Sequence, residues 1–115
     1  MKVNFKDKEL EIKFGLGQLV AIDQELGLSV QEVNLGEGLE MLVPKLKAAS
    51  VIAIAKMLGA VTKGQKGAPK NMDELEELVI AVQDQYGSLQ EFAEACIEEL
   101  GKRPLTREIV KQAEQ

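Results

Sequence analysis

The first fourteen residues alternate between apolar and polar side chains, once from Val3 to Phe5 and again from Leu10 to Phe14. A period of two is typical of a strand with one apolar face. The polar segment 6–9 separates the two runs, so we predict an antiparallel β-hairpin over residues 2–14. An isolated hairpin is only marginally stable in water. Its apolar face is therefore expected to lie on helices, and its strand edges to need a partner or cover.

Helical spacing replaces this alternation from Leu16 onward. One face of the predicted helix carries Leu16, Leu19, Val20 and Leu26. Asp23 is the polar exception on that face, and Gly27 is the predicted helix end. Ser29 is expected to cap a short turn, and residues 34–38 are typical of a loop.

Two further apolar segments predict helices before residue 62. Residues 39–46 place Leu or Val at helical spacing, and Pro44 either kinks this helix or begins a separate one. Residues 48–61 are apolar on nearly every side, which indicates a central core helix. Helices are therefore expected across residues 16–62.

The segment 63–70 carries the strongest loop signal in the chain. Besides Pro69, it contains Lys63, Gly64, Lys66, Gly67 and Lys70. Glycines and a proline among lysines favour an irregular backbone. We predict a mobile hinge here, between the helices of 16–62 and a helical C-terminal half, 71–115, within one domain of residues 1–115.

The C-terminal half contains two apolar stripes, each preceded by a capping pair. Asn71 with Glu74 and Ser88 with Glu91 have the spacing of an N-cap and its third helical residue. Gly87 and Gly101 are the predicted helix ends, and Thr106 is expected to cap a short last helix. The predicted fold is mainly α, with an N-terminal β-hairpin packed on a bundle of five or six short helices.

Composition excludes several kinds of catalytic site. The 115 residues include no His and one Cys, so neither a His-containing triad nor a thiolate zinc site is available. The glycines at 15 and 17 lack the third glycine of a dinucleotide fingerprint, and no Gly-Lys-Ser/Thr follows those at 64 and 67. Cys96 lies on an apolar stripe and is expected to be buried. We predict no catalytic residue, cofactor or metal.

Charge is distributed unevenly along the chain. Residues 1–72 have a net charge of +2 and residues 73–115 a net charge of −7. An acidic half repels phosphate backbones and argues against nucleic-acid binding. It suits a basic partner or a head-to-tail contact with another copy. No apolar run is long enough to span a membrane, and no signal peptide is recognised, so the cytoplasm is the expected location.

The hairpin is the predicted self-association surface, because it holds much of the aromatic content on a two-stranded ribbon with open edges. The candidate residues are Val3, Phe5, Leu10, Ile12 and Phe14.

The order of these segments resembles the tail assembly chaperones of long-tailed bacteriophages, in particular those in prophages of Gram-positive bacteria. The resemblance rests on the hairpin, on the segment Asp23-Gln24-Glu25-Leu26-Gly27, and on the apolar stretch 48–61. An acidic helix, 73–86, that ends in Tyr86-Gly87 completes the pattern. It extends over nearly the whole chain.

The resemblance implies a non-enzymatic, self-associating protein of the host bacterial cytoplasm that is absent from the mature virion. Its client would be the tape measure protein, a long helical chain kept soluble until the tail tube forms around it. A frameshift-extended form would contact the tail tube protein. Two alternatives remain. One is a phage structural adaptor, such as a head–tail connector component. The other is a small helical regulator that binds nucleic acid through Lys63, Lys66 and Lys70.

Overall fold

The computed structural model describes residues 1–27 and 38–114, together with the backbone of 29–30 and 33–34. The elements are β1 (Lys2–Phe5), β2 (Lys8–Glu11), α1 (Leu16–Leu26), β3 (Ser29–Val30), β4 (Val33–Asn34), α2 (Gly38–Lys47), α3 (Val51–Thr62), α4 (Met72–Tyr86), α5 (Leu89–Lys102) and α6 (Arg107–Ala113). The predicted fold class, an N-terminal hairpin followed by helices, is confirmed.

The N-terminal hairpin pairs β1 with β2 in antiparallel register, with Val3 opposite Leu10. Lys6 and Asp7 form its two-residue turn, and both have positive φ angles, 48° and 64°. Such a turn matches the twist of the strands that it joins. The ladder extends past the strand ends, because the Ile12 N–H donates to the Met1 carbonyl at 2.6 Å.

The segment between α1 and α2 differs from its prediction. Helices were expected across 16–62, with a capped turn after Ser29, but 29–30 and 33–34 form a short antiparallel pair. Val30 and Val33 are β-branched and favour extended backbone, which explains the difference. The predicted loop at 34–38 falls partly on residues 35–37, which lie outside the described residues.

Helix α2 continues through Pro44 to Lys47, so the proline does not begin a separate helix. The helix ends in a Schellman arrangement: the Ser50 N–H donates to the Lys45 carbonyl at 3.1 Å, and the Ala49 N–H to the Leu46 carbonyl at 2.9 Å. Ala49 takes the left-handed position, with φ of 50°. Glycine is the usual residue there, so this alanine is strained.

Both predicted caps of the C-terminal half are present. The Glu74 N–H donates to Asn71 Oδ1 at 2.9 Å, and the Glu91 N–H donates to Ser88 Oγ at 3.0 Å. Gly87 ends α4 with φ of 97°, as predicted. Gly101 does not end a helix. It lies within α5, where a Cβ would stand 3.7 Å from Val110 Cγ1, so α6 packs closely over it.

Helix α3 lies at the centre of the core, as its apolar composition predicted. It packs against α1, α2 and α4, and it also contacts β2 of the hairpin. Its buried residues are Ala53, Ile54, Met57, Leu58, Ala60, Val61 and Thr62. The hairpin and each of the six described helices contribute side chains to one continuous apolar cluster, so the hairpin covers the helical body.

Candidate functional site

The five hairpin residues predicted to mediate self-association are core residues of the protomer. Val3, Phe5, Leu10, Ile12 and Phe14 are each at most 4% exposed. Their side chains pack inward on the helices, so a partner cannot contact them in this conformation. Self-association through this hairpin stays a prediction, and in the folded chain the polar face of the hairpin is the accessible one.

Two glutamine side chains cover the strand edges of the hairpin. The carboxamide of Gln85, on α4, accepts from the Asn4 N–H at 3.0 Å and donates to the Asn4 carbonyl at 2.7 Å. On the opposite edge, Gln65 accepts from the Glu11 N–H at 2.9 Å and donates to its carbonyl at 2.8 Å. Each carboxamide makes the pair of hydrogen bonds that a neighbouring strand would make. The cover that the sequence predicted for the strand edges is therefore present at Asn4 and Glu11.

The predicted hinge loop contacts this hairpin. Gly64 and Gly67 both have left-handed backbone, with φ of 87° and 90°. A Cβ on Gly67 would lie 2.8 Å from the Lys8 Cγ, so the loop passes close to β2. Lys63, Lys66 and Lys70 are exposed. Mobility of this loop stays a prediction; its described conformation is held against the hairpin by Gln65.

An apolar groove between α1 and α6 encloses about 630 Å³. We call it the α1–α6 groove; it is lined by Leu16, Leu19, Val20, Asp23, Gln24, Leu39, Glu40, Leu105, Ile109 and Gln112. Leu16, Val20 and Leu105 are 67%, 50% and 64% exposed, although all three are large apolar residues. Exposed apolar side chains gathered around a concavity are typical of a protein-binding site.

Helix α1 turns Leu16 and Val20 towards the groove and other apolar residues towards the core. Leu16 and Val20 lie one helical turn apart on α1, while Leu19 and Ile22 of the same helix are buried in the core. Helical spacing places Leu16, Leu19 and Val20 together on one apolar face of the predicted helix. The sequence therefore missed that Leu16 and Val20 belong to a surface groove.

The α6 wall is anchored by Thr106, which does not act as the predicted side-chain helix cap. Its buried hydroxyl instead donates to the Leu100 carbonyl of α5. This bond holds the turn before α6, from which Leu105 projects at the groove.

The charged residues that line the α1–α6 groove are acidic. Asp23 Oδ1 accepts from the Leu39 N–H at 2.7 Å, so this carboxylate joins α1 to the first turn of α2. Gly38 makes the close approach possible, since a Cβ there would lie 2.1 Å from the Asp23 carbonyl oxygen. Glu40 follows on the exposed side of α2. A ligand in the groove would meet negative charge beside the α1–α2 junction.

A second apolar groove lies between α3 and α4 and encloses about 360 Å³. We call it the α3–α4 groove; it is lined by Val51, Ala55, Met72, Leu75, Glu76, Val79, Ile80, Gln83 and Leu89. Met72 is 80% exposed at its edge, and Val51 and Ile80 are also exposed. The α3–α4 groove shares none of its lining residues with the α1–α6 groove, so it is a separate apolar surface.

Cys96 is buried between α5 and the rest of the core, as predicted. Burial raises the pKa of its thiol to about 12, so the sulfur stays protonated at neutral pH. Cys96 is therefore a packing residue rather than a nucleophile.

Among the described helices, none combines the length and the apolar character needed to cross a membrane.

Comparison with known proteins identifies a family for the chain. Searches of curated proteins and of solved structures gave no match. A family model described as phage tail assembly chaperone protein, TAC, matches residues 2–115, which is nearly the whole chain. The chain therefore belongs to the phage tail assembly chaperone family.

Proposed function

We propose that this protein binds the tape measure protein in the α1–α6 groove and keeps that helical client soluble during tail assembly, without an enzymatic step. The observation that supports it most is the exposure of Leu16, Val20 and Leu105 around one groove of a tail assembly chaperone. Binding of a helix in a groove uses apolar anchors at intervals of three or four residues. These side chains and the apolar floor between them suit such anchors.

The energetics of the groove suit a weak contact that is repeated many times. Complete burial of one large apolar side chain contributes roughly 1.5–3 kcal/mol, and these three side chains are already partly buried. The loss of motional freedom on association offsets much of the gain. A single site is therefore expected to bind weakly, and several copies along one long client would bind it firmly through avidity.

Co-expression tests this function. The wild-type chain should raise the soluble yield of the tape measure protein encoded in the same tail gene cluster. Val20→Asp and Leu105→Asp should each remove most of that gain, because they place a charge in the groove. Ile52→Asp is the matched control, since Ile52 is 66% exposed but lies outside the groove lining. Circular dichroism would verify that all three variants fold. Unchanged client yield with the wild-type chain would refute the proposal.

Self-association is part of the proposal, and the α3–α4 groove supports it as a second apolar surface. Met72→Glu should reduce the sedimentation coefficient of an oligomer without loss of helical circular dichroism, because Met72 is exposed. Gln90→Glu, on the exposed side of α5, is the control. An unchanged coefficient for Met72→Glu would remove this groove from the interface.

The remaining partners and the location follow from the same role. A transient assembly factor acts in the host cytoplasm and leaves before the virion is complete, whereas a head–tail connector stays. Mass spectrometry of purified particles separates the two, and recovery of this chain in stoichiometric amount would favour the connector. A frameshift-extended form that contacts the tail tube protein would appear as a larger product of the same gene in infected cells.

A further inference from the structure

We infer that the client segment in the α1–α6 groove is an amphipathic helix that carries Lys or Arg beside its apolar stripe. This inference rests on the proposed function, because it concerns the same groove and the same client. It adds the chemical character by which a binding segment would be selected from a long helical chain.

The sign of the groove's charge is the first support. Its charged lining residues are Asp23 and Glu40, and neither Lys nor Arg occurs among the described residues that line it. The small pocket between α2 and α3 is different, because its charged lining residues are Lys45 and Lys56. The α3–α4 groove also has an acid, Glu76, as its charged lining residue. The sign of the lining charge therefore differs between the described pockets, and in the α1–α6 groove it is negative.

The position of the two acids is the second support. Asp23 is half-buried, and its bond to the Leu39 N–H holds it at the α1–α2 junction. Glu40 lies one residue further along α2 and is exposed. Asp23 on α1 and Glu40 on α2 thus lie near the α1–α2 junction, and both line the same groove as Leu105 and Ile109. A fixed charge beside apolar surface interacts more strongly with a ligand than one fully surrounded by water.

A helix laid across Leu16, Val20 and Leu105 would have one flank near these two carboxylates. Lys or Arg on that flank can place its aliphatic stem on the apolar lining and its cationic group at the carboxylates. An acidic flank would instead meet like charge without compensation. The apolar contacts hold the client helix in the groove. The charges select which helix binds and how it is rotated about its own axis.

Three synthetic helical peptides with one apolar stripe and flanks of Lys, Gln or Glu would test the inference with the full-length chain. Fluorescence anisotropy at low salt should rank the affinities Lys, then Gln, then Glu, with about tenfold between the extremes for two partly exposed pairs. The difference should shrink at high salt, because exposed charges are screened.

Charge reversal of the chaperone provides the matched control. Glu40→Lys should lower the affinity of the Lys peptide and raise that of the Glu peptide. Glu94→Lys makes the same change at an exposed acid of α5 outside the lining, and should leave the ranking intact. Asp23 is left unchanged because it holds the start of α2.

Each other outcome has a defined meaning. Equal affinity for the three peptides would overturn the charge selection, while the co-expression assay would still decide the proposed function. Groove-dependent solubility of the tape measure protein without peptide binding would overturn the inference alone. Peptide binding that is insensitive to Leu105→Asp would place the peptide elsewhere and overturn it. Dissociation of an oligomer by Leu105→Asp, with no peptide bound, would show that a second copy occupies the groove.

Discussion

Gln85 and Asn4 form a reciprocal pair of hydrogen bonds across 81 positions of sequence. The carboxamide of the helix residue satisfies both outward-facing backbone groups of the strand residue, and α4 is thereby joined to β1. Gln65 makes the equivalent pair with Glu11 on the other strand. The hairpin is therefore held at both edges by side chains rather than by further strands.

Gln85→Ala should lower the free energy of unfolding by about 1–2 kcal/mol, since two hydrogen bonds of about 1 kcal/mol net are lost. Denaturation by urea, followed by circular dichroism, would measure the change. Gln83→Ala is the control, because Gln83 is an exposed glutamine on the same helix. Equal losses for the two variants would mean that the pair with Asn4 adds no stability.

Ile12→Asp is expected to unfold the protein, and Phe5→Asp likewise. Both side chains are almost fully buried, so either variant places a carboxylate in the apolar core at a cost of several kcal/mol. Circular dichroism would show whether each variant is folded, and sedimentation of the same samples would show its state of association. A folded monomer from either variant would instead support self-association through the hairpin face.

Ala49→Gly should raise the free energy of unfolding by up to about 1 kcal/mol. Glycine removes the steric cost of left-handed backbone, roughly 1–2 kcal/mol, and part of this gain is offset by the greater freedom of the unfolded chain. Thermal and urea denaturation would measure it. Ala48→Gly, one residue earlier and outside the positive-φ position, should not stabilise the protein. A gain of the same size there would contradict the explanation.

Cys96 should not react with a thiol reagent at neutral pH until the chain unfolds, because its thiol is buried and its pKa is raised to about 12. The folded state binds this proton more tightly than the unfolded state does. The stabilisation is therefore complete below the ordinary thiol pKa and declines as pH rises from there towards 12. Absorbance with a disulfide reagent, in buffer and in urea, would measure both rates. Rapid reaction in buffer would contradict the burial.

Limited trypsin should cut first at Lys63, Lys66 or Lys70, since these lysines are exposed in a loop. Gln65→Ala should accelerate that cleavage, because it releases the loop from Glu11. Mass spectrometry of early fragments would locate the cuts, and Gln112→Ala would serve as a control away from the loop. First cleavage within α3 or α4 would contradict the predicted hinge.

Local sequence determined much of the secondary structure. Alternation over two residues specified the hairpin, and Asn71 and Ser88 marked the starts of α4 and α5, because strand periodicity and helix caps depend on residues close together in the chain. The nearly all-apolar stretch 48–61 likewise identified α3 as the central helix. The absence of His and the presence of a single Cys by themselves limited the available chemistry.

Tertiary structure decided where these elements present their side chains. Leu16 and Leu19 share one apolar stripe in the sequence, yet only Leu19 is buried, because the position of α6 leaves a groove over Leu16. The hairpin face, predicted as an association surface, is covered by the protein's own helices. Gln85 gave no sequence signal for its bond to Asn4. Burial and long-range hydrogen bonds depend on how distant elements pack together, and local periodicity does not specify that packing.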